Sequence, residues 1–451
     1  MTGSGASTEG RRWLIVALVA GALLRVLALP LSGTGDTLIW KVWSYNAAHD
    51  LTGVYGVGGD PPTHRVLHWQ GEEMTVDYPP VAAAELAVVG RAYERVRPQF
   101  DNTRWLNAFV KLPGQIAECA LVAWLLLGGR RWLGERAEWA ALAFWLNPLV
   151  LMNGAVLGYL DAEATVPIVF AALTAWAGWP LAAGILTAIA VLTKAQAVFV
   201  LPAVAITVYC RSARITGLVQ ATIGGLATTS MVVAPYVARG AWHNLAQAVG
   251  RLATHDMLSA QAANVWWIFT WALRVADVRS EWGWWRALTQ EVRILGITRA
   301  EALGYPNPRE IGLTFVVAAI GWACWRSRRL TSLGQTAALA AWCAYAYAML
   351  AAQVHENHWY PVVPFLALAA GADRRYVGPF VAISAIGAIN LLLFYGVGSD
   401  WPPIVSRAWT GIDASVLLAF VNVGVFAWFG WRLSSAFPAA ASDLPASTPS
   451  P

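Results

Sequence analysis

The chain of 451 residues is 57% hydrophobic and 13% charged, with a mean hydropathy of +0.50, where a soluble domain carries about 25% charged residues. Apolar runs of about 15–23 residues recur along it, which excludes a string of soluble domains and points to a polytopic α-helical membrane protein. The net charge is +5 and the pI about 9.1, but no basic low-complexity tract accompanies them. The excess belongs to arginines flanking spans, not to a nucleic-acid surface.

In chain order, residues 1–11 read as a disordered cytoplasmic N-terminus. Arg11 and Arg12 precede the long apolar run Trp13–Leu31, and no clear A-x-A site precedes the useful residues, so an uncleaved first span is expected rather than a signal peptide. Spans are predicted near 12–32, 105–127, 137–155, 162–178, 180–193, 196–210, 215–237, 311–325, 335–352, 357–371, 377–396 and 412–432, about twelve in all. Two long loops, 33–104 and 238–310, separate them. In the first, Pro79-Pro80 opens an apolar stretch, Val81–Val89, followed by Arg91, Arg95 and Arg97, which suits an interfacial helix. Residues 436–451 read as a disordered cytoplasmic tail, leaving 12–435 as one transmembrane domain. Cys119, Cys210, Cys324 and Cys343 lie in or beside apolar runs without a CxxC, so buried thiols are expected rather than disulfides or a metal site.

With the N-terminus inside, Arg11/Arg12, Arg130/Arg131/Arg136, Arg211/Arg214, Arg326/Arg328/Arg329, Arg374/Arg375 and Arg432 all fall in the cytoplasm, and both long loops fall outside. The same orientation gathers Asp36, Asp77, Asp161, Glu163, Lys194, His255 and His355-Glu356 at or near the outer face. Ionisable groups at membrane depth are costly, so a shared face suggests a shared site, although any loop-rich side collects polar residues.

Asp36 follows Gly35 just past the first span, well placed for chemistry on a lipid-borne substrate or as an ordinary cap or loop acid. Asp77-Tyr78-Pro79-Pro80 is a stiff turn before a helix, with Asp77 a candidate ligand or a helix-entry cap. In NGAVLGYLDAE (153–163), Asp161 and Glu163 open a span; they suit an acceptor hydroxyl or a metal, and Asp161 suits a cap equally. Lys194 breaks an apolar run, to snorkel to the interface or to meet a lipid phosphate. The second loop carries His255-Asp256 and Asn264-Val265-Trp266-Trp267. Its tryptophans suit interface anchors, or flat faces for sugar rings. Gln353-Val354-His355-Glu356-Asn357-His358 is not the zincin spacing; its histidines suit a phosphate, or a simple interfacial cluster. No P-loop, GxGxxG or GxSxG elbow occurs, so a nucleotide as direct donor is not indicated.

Taken in order, Gly35-Asp36 with Trp43, Asp77-Tyr78-Pro79-Pro80, the NGAVLG segment, Lys194-Ala195-Gln196, Ala263-Asn264-Val265-Trp266 and Gln353-Val354-His355-Glu356 resemble the ALG-type dolichyl-phosphate-glucose glucosyltransferases, members of the GT-C membrane glycosyltransferases. The resemblance spans residues 35–360. It implies a GT-C bundle of about twelve helices whose two long extracytoplasmic loops carry interfacial helices. It also implies an inverting transfer of a hexose, glucose or mannose, from a polyprenyl-phosphate donor to a hydroxyl of a lipid-linked or cell-envelope glycan. By resemblance Asp36 is the general base and His355 lies near the donor phosphate. Lys194, His255, Glu356, Asp77, Tyr78, Asp161 and Trp266 complete the expected binding set, with no metal and no cofactor. Leu38 stands where the family's second first-loop acid would lie, and NGAVLGYLD is poorer in histidine and aromatic residues than the family segment. The expected setting is a bacterial plasma membrane, both termini cytoplasmic, the site outside. The competing readings are a flippase for lipid-linked sugars, which needs a polar path to both faces, and a GT-C transferase acting on protein.

Overall fold

The computed structural model describes residues 8–58, 65–251, 257–289, 307–403, 407 and 411–437; His255 and Asp256 lie outside them. Among the described residues the chain is all-α apart from two short strand pairings. Five stretches are long and apolar enough to cross a membrane: Arg104–Leu127, Arg136–Leu157, Ile215–Ala238, Arg374–Tyr395 and Ala414–Ala436. Shorter apolar helices, Pro180–Thr193, Ala195–Arg211 and Val265–Ala276, accompany them. The outward faces carry exposed large apolar side chains such as Leu27, Met231 and Phe420, a surface that a bilayer would cover.

Helix α1 (Thr8–Ala28) leads into α2 (Gly35–Asp50), and α3 (Pro80–Val96) precedes the span α4 (Arg104–Leu127). α5 (Arg136–Trp145) runs through a π-helical stretch, Leu151–Leu157, to α6 (Asp161–Trp176) and α7 (Pro180–Thr193). A 3₁₀ turn, Ala195–Val200, opens α8 (Leu201–Arg211); α9 (Ile215–Ala238) and α10 (Trp242–Arg251) follow. Then come α11 (Val265–Thr289), α12 (Pro308–Arg326), α13 (Leu333–Leu350), α14 (Val362–Ala372), α15 (Val377–Tyr395) and α16 (Ala414–Ala436). α13 and α14 are apolar all round and buried almost all round, as helices at the centre of a bundle must be. One ion pair is buried inside this region. Arg25 of α1 meets Glu118 of α4 at 2.8 Å and donates to the Trp145 carbonyl, while the Tyr360 hydroxyl donates to the other Glu118 oxygen at 3.0 Å.

The first long loop is a folded cap. α2 packs along α3, where Gly90 lies against the Ser44 carbonyl too closely to admit a side chain. Between them a hairpin pairs β1 (Leu67–Trp69) with β2 (Glu72–Met74). Trp40, Trp43, Leu86, Tyr93 and Phe100 form a second core beneath. α3 covers the helix expected at 81–89, with Pro80 at its first position, where a missing N–H costs nothing.

Four expectations need correction. Residues 8–11 are helical, because α1 begins at Thr8, ahead of its arginines. Asp36 sits in the first turn of α2 rather than in irregular loop, and the N-cap there is Thr34. Neither Asp77 nor Asp161 is a cap: Pro79 precedes α3 and Leu160 precedes α6. Of the four thiols, all free, only Cys343 is fully buried; Cys119 faces outward, because α4 turns its polar face inward.

Candidate active site

A cavity of about 790 Å³ lies between the first-loop cap and the bundle, lined by Asp36, Trp40, Trp43, Asp77 and Tyr78 on one side. On the other stand Gln196, Phe199, Arg309, Tyr347, Gln353, His355, Asn357 and His358. Helical spacing sets the first wall. Asp36 and Trp40 are four apart and Trp43 three further, so all three share one face of α2. The Trp40, Trp43 and Tyr78 rings meet edge to face at 5.0, 5.1 and 5.6 Å. The Tyr55 hydroxyl donates to the Tyr78 carbonyl at 2.9 Å, fixing the turn before Pro79-Pro80.

The opposite wall is set by a short parallel pairing. β3 (Ser259–Ala260) lies beside β4 (Val354–His355), and the Gln353 amide donates to the Leu258 carbonyl at 2.8 Å. Gln353 takes a left-handed φ of 66°, the bend that turns Gln353, His355, Asn357 and His358 to the cavity. The His358 ring lies within hydrogen-bond distance of the Tyr347 hydroxyl (3.2 Å) and the Gln196 side chain (3.3 Å).

Behind the cavity Asp161 joins three interruptions of the helical backbone. One oxygen pairs with the Lys194 ammonium at 2.5 Å, and the other accepts from Asn153 at 3.1 Å and Asn357 at 2.9 Å. These partners belong to the π-helical stretch, the break after α7 and the His355–Trp359 turn. Gly158 closes the first of them in a left-handed conformation, φ 79°. Its carbonyl accepts from the Trp40 indole at 3.0 Å, and a side chain there would meet Thr37 Oγ1 at 2.8 Å and Lys111 Cε at 2.9 Å. Lys111 in turn donates to the carbonyls of Leu31, Ala155 and Val156.

Among the described residues the Asp36 carboxylate makes no hydrogen bond or ion pair and stands half-buried at the cavity wall. Burial pushes its pKa up, Lys194 pulls it back, and Asp77 and Asp161 add to the rise, leaving it at about 6. At neutral pH it is therefore mostly a carboxylate with enough basicity to accept a proton. Aromatic faces, a carboxylate and a wall of arginine and imidazoles suit a substrate that combines a sugar-like ring, a hydroxyl and an anion. Among the described residues no three His, Cys, Asp or Glu side chains come together as metal ligands.

Of the residues singled out in the sequence, Asp36, Asp77, Tyr78 and His355 line the cavity together. Asp161 and Lys194 lie behind it around a space of about 30 Å³ that also touches Gln196 and His358. Lys194 does not snorkel: it is buried on Asp161, its ammonium 5.7 Å from the Tyr78 ring centre. Glu356 is buried away from the cavity, accepting from the Tyr159 hydroxyl at 2.6 Å. Trp266 is not in the cavity; its indole donates to the Leu350 carbonyl at 2.7 Å and packs with Leu258. His255 lies outside the described residues. The sequence reading missed Trp40, Phe199, Tyr347 and Arg309. Three of these are aromatics in apolar surroundings and carried no signal. Arg309 did: it stands just ahead of the span predicted at 311–325, at the end where the arginine pattern of the sequence leads one to expect few arginines.

No family model and no curated protein matches the chain. Among solved structures it is similar to the crystal structure of ArnT from Cupriavidus metallidurans bound to undecaprenyl phosphate, with 13% identity and a TM-score of 0.46 over 95% of this chain and 77% of that one.

Proposed function

We propose that this chain is a GT-C-type membrane glycosyltransferase that moves a sugar from a polyprenyl-phosphate-linked donor to an acceptor hydroxyl, with inversion. The observation that carries the reading is Asp36: a carboxylate of raised basicity at the wall of a cavity whose opposite wall bears Arg309, His355 and His358. The acceptor oxygen attacks the anomeric carbon as the bond from that carbon to the phosphate oxygen breaks. Asp36 takes the hydroxyl proton, and the polyprenyl phosphate leaves with the bonding electrons. One displacement needs one base, together with cations where charge develops on the departing phosphate. Tyr78, half-buried at the cavity wall and braced edge to face by the buried Trp40 and Trp43, offers a ring face to the sugar.

The finer terms of the proposal are a hexose donor, a lipid-linked or envelope glycan acceptor and an extracytoplasmic site. They rest on the motif resemblance and the arginine distribution. Within the set, Asp77 and Tyr78 join Asp36 at the substrate, whereas Asp161 and Lys194 act from behind, through the segments they hold and the charge they set near Asp36.

The test uses the purified protein and a panel of polyprenyl-phosphate sugars, comparing wild type with Asp36→Asn. Loss of the base lowers the transfer rate on the order of 10²–10⁴-fold. A variant that transfers sugar as fast as wild type removes Asp36 from this role. Lipid-linked sugar crossing a vesicle membrane while no donor is consumed identifies a transporter instead.

A further inference from the structure

The buried helices α13 and α14 run between two cavities. One end of the pair carries the Gln353–His358 turn of the candidate active site. The other end is roughly 27 Å away along the 18 residues of α13. There a second cavity, of about 520 Å³, lies between the starts of α5 and α13, the end of α14 and the 3₁₀ turn Arg374–Tyr376. The two cavities share no lining residue, and the sugar transfer makes no use of the second.

One side of this cavity is built of donors that lack acceptors. α13 begins there behind its N-cap, Ser332, whose Oγ accepts from the Gln335 amide at 3.2 Å. The amides of Leu333 and Gly334, at the first two helical positions, have no acceptor within the helix. Gly334 has no side chain to cover them, and none fits: a Cβ there would meet the Ala372 Cβ at 2.7 Å. Arg136, in the first turn of α5, lines the same space, and its guanidinium has no ion pair or hydrogen bond among the described residues. The arginines around it are engaged: Arg130 with Glu138, Arg131 over the Trp132 ring at 3.8 Å, and Arg375 with Asp373 at 2.6 Å. Tyr376 also lines the cavity and is 1% exposed, yet its hydroxyl has no partner among the described residues. Buried hydroxyls are normally partnered, so one left open at a cavity wall marks a place for a ligand atom.

The acids of the cavity are Glu135 and Asp373. Glu135 is exposed. Asp373 is neutralised by Arg375 and accepts from the Arg375 amide at 3.0 Å. It directly follows α14, whose last carbonyls lack intrahelical donors. Donors thus stand at the start of one central helix and acceptors at the end of the other.

We propose that this cavity binds a small phosphate ester. Its phosphate lies on Arg136, the Leu333 and Gly334 amides and the Tyr376 hydroxyl, and its hydroxyl or amine end meets Asp373 and the last carbonyls of α14. A helix N-terminus and a guanidinium favour a phosphate by dipole and by paired charge-assisted hydrogen bonds. The same chemistry is offered by a soluble phosphate ester and by a phospholipid headgroup, and basic pockets between spanning helices take such headgroups. The site stands independently of the glycosyltransferase reading.

Glycerol 1-phosphate, inorganic phosphate and a short-chain phosphatidylglycerol are titrated against the full-length protein in detergent. Arg136→Gln is expected to weaken the bound ester on the order of tenfold, and Arg136→Lys by less, since it keeps the charge but loses the planar fork. Tyr376→Phe is expected to weaken it several-fold. Because Arg136 is exposed, its variants are expected to keep the wild-type unfolding temperature. Arg309→Gln, at the other cavity, is expected to leave the affinity unchanged. Inorganic phosphate, which has no second end for Asp373, is expected to bind more weakly than the esters. Binding of glycerol 1-phosphate supports the site and identifies a soluble ester as its ligand; binding of phosphatidylglycerol alone supports it and identifies a lipid headgroup. Equal affinity in wild type and Arg136→Gln overturns the proposal, as does the absence of binding by all three probes. A loss of affinity in Arg309→Gln in place of Arg136→Gln also overturns it, since the phosphate then occupies the first cavity.

Discussion

Replacing Lys194 by methionine tests whether the Asp161 junction serves both the fold and the base. Lys194 and Asp161 are paired at 2.5 Å and both almost wholly buried. Methionine keeps the length of the side chain and removes the charge, leaving the Asp161 carboxylate with only its two asparagine donors. Stranding one member of a buried pair costs about 3–5 kcal/mol. Thermal unfolding in detergent should therefore fall well below wild type, and the double variant Asp161→Asn/Lys194→Met should recover much of the loss, since it strands no charge. The second readout is the pH profile of kcat/KM. Asp36 acts as a carboxylate, so with its pKa at about 6 the rate falls as pH drops below 6, by about tenfold per unit. Lys194 is the group that pulls this pKa down, so its removal moves the acid limb to higher pH. The double variant also removes Asp161, one of the groups pushing the pKa up, and brings the limb back toward wild type. A Lys194→Met protein with wild-type stability, or with an unmoved acid limb, refutes the assigned coupling.

Two further substitutions probe the supports of the site. Gly158→Ala imposes a side chain on a left-handed residue and drives it against Thr37 and Lys111; a loss of about 1–2 kcal/mol from backbone strain alone is expected in thermal unfolding, with reduced transfer because Trp40 hangs from the Gly158 carbonyl. Tyr159→Phe removes the 2.6 Å bond to Glu356 and leaves a buried carboxyl short of a donor, at a cost of about 1–3 kcal/mol in the same measurement, with little change in KM because neither group lines the cavity.

The bundle was legible in the sequence because long apolar runs have few alternatives in a bilayer. The site was legible where chemistry contrasts with its surroundings: Asp36, Asp77-Tyr78 and His355 are polar residues beside apolar runs, and they line one cavity. Residues 35–50 were not legible as a helix. α2 places Trp40 and Trp43 with Lys41 and Ser44 on buried sides, so no single apolar stripe marks it. Trp266 misled for the reverse reason. An Asn-Val-Trp-Trp stretch looks like an interface or ring platform, yet its indole serves the end of α13, a partner 84 residues away that spacing cannot reveal.

Lys194 carries the larger physical lesson. Read alone, a lysine in an apolar run belongs at the interface or on a ligand. Here it marks the end of a helix, and its fellow partners of Asp161 stand at other irregular stretches, Asn153 in the π-helical one and Asn357 in a 3₁₀ turn. Interrupted backbone is tolerated at membrane depth only where protein or a cavity satisfies the freed groups. One carboxylate meets the side chains of three such interruptions, and Lys111 takes up carbonyls that the π-helical stretch leaves open. The breaks therefore cluster, and a cavity opens where they cluster. It follows that the polar residues most exposed to substrate and those most essential to the fold are neighbours in space but separate sets. Asp36 is free of hydrogen bonds among the described residues, while Asp161, directly behind it, is saturated. A substitution at Asp36 should leave the unfolding temperature nearly unchanged while removing transfer; one at Asp161 should lower both.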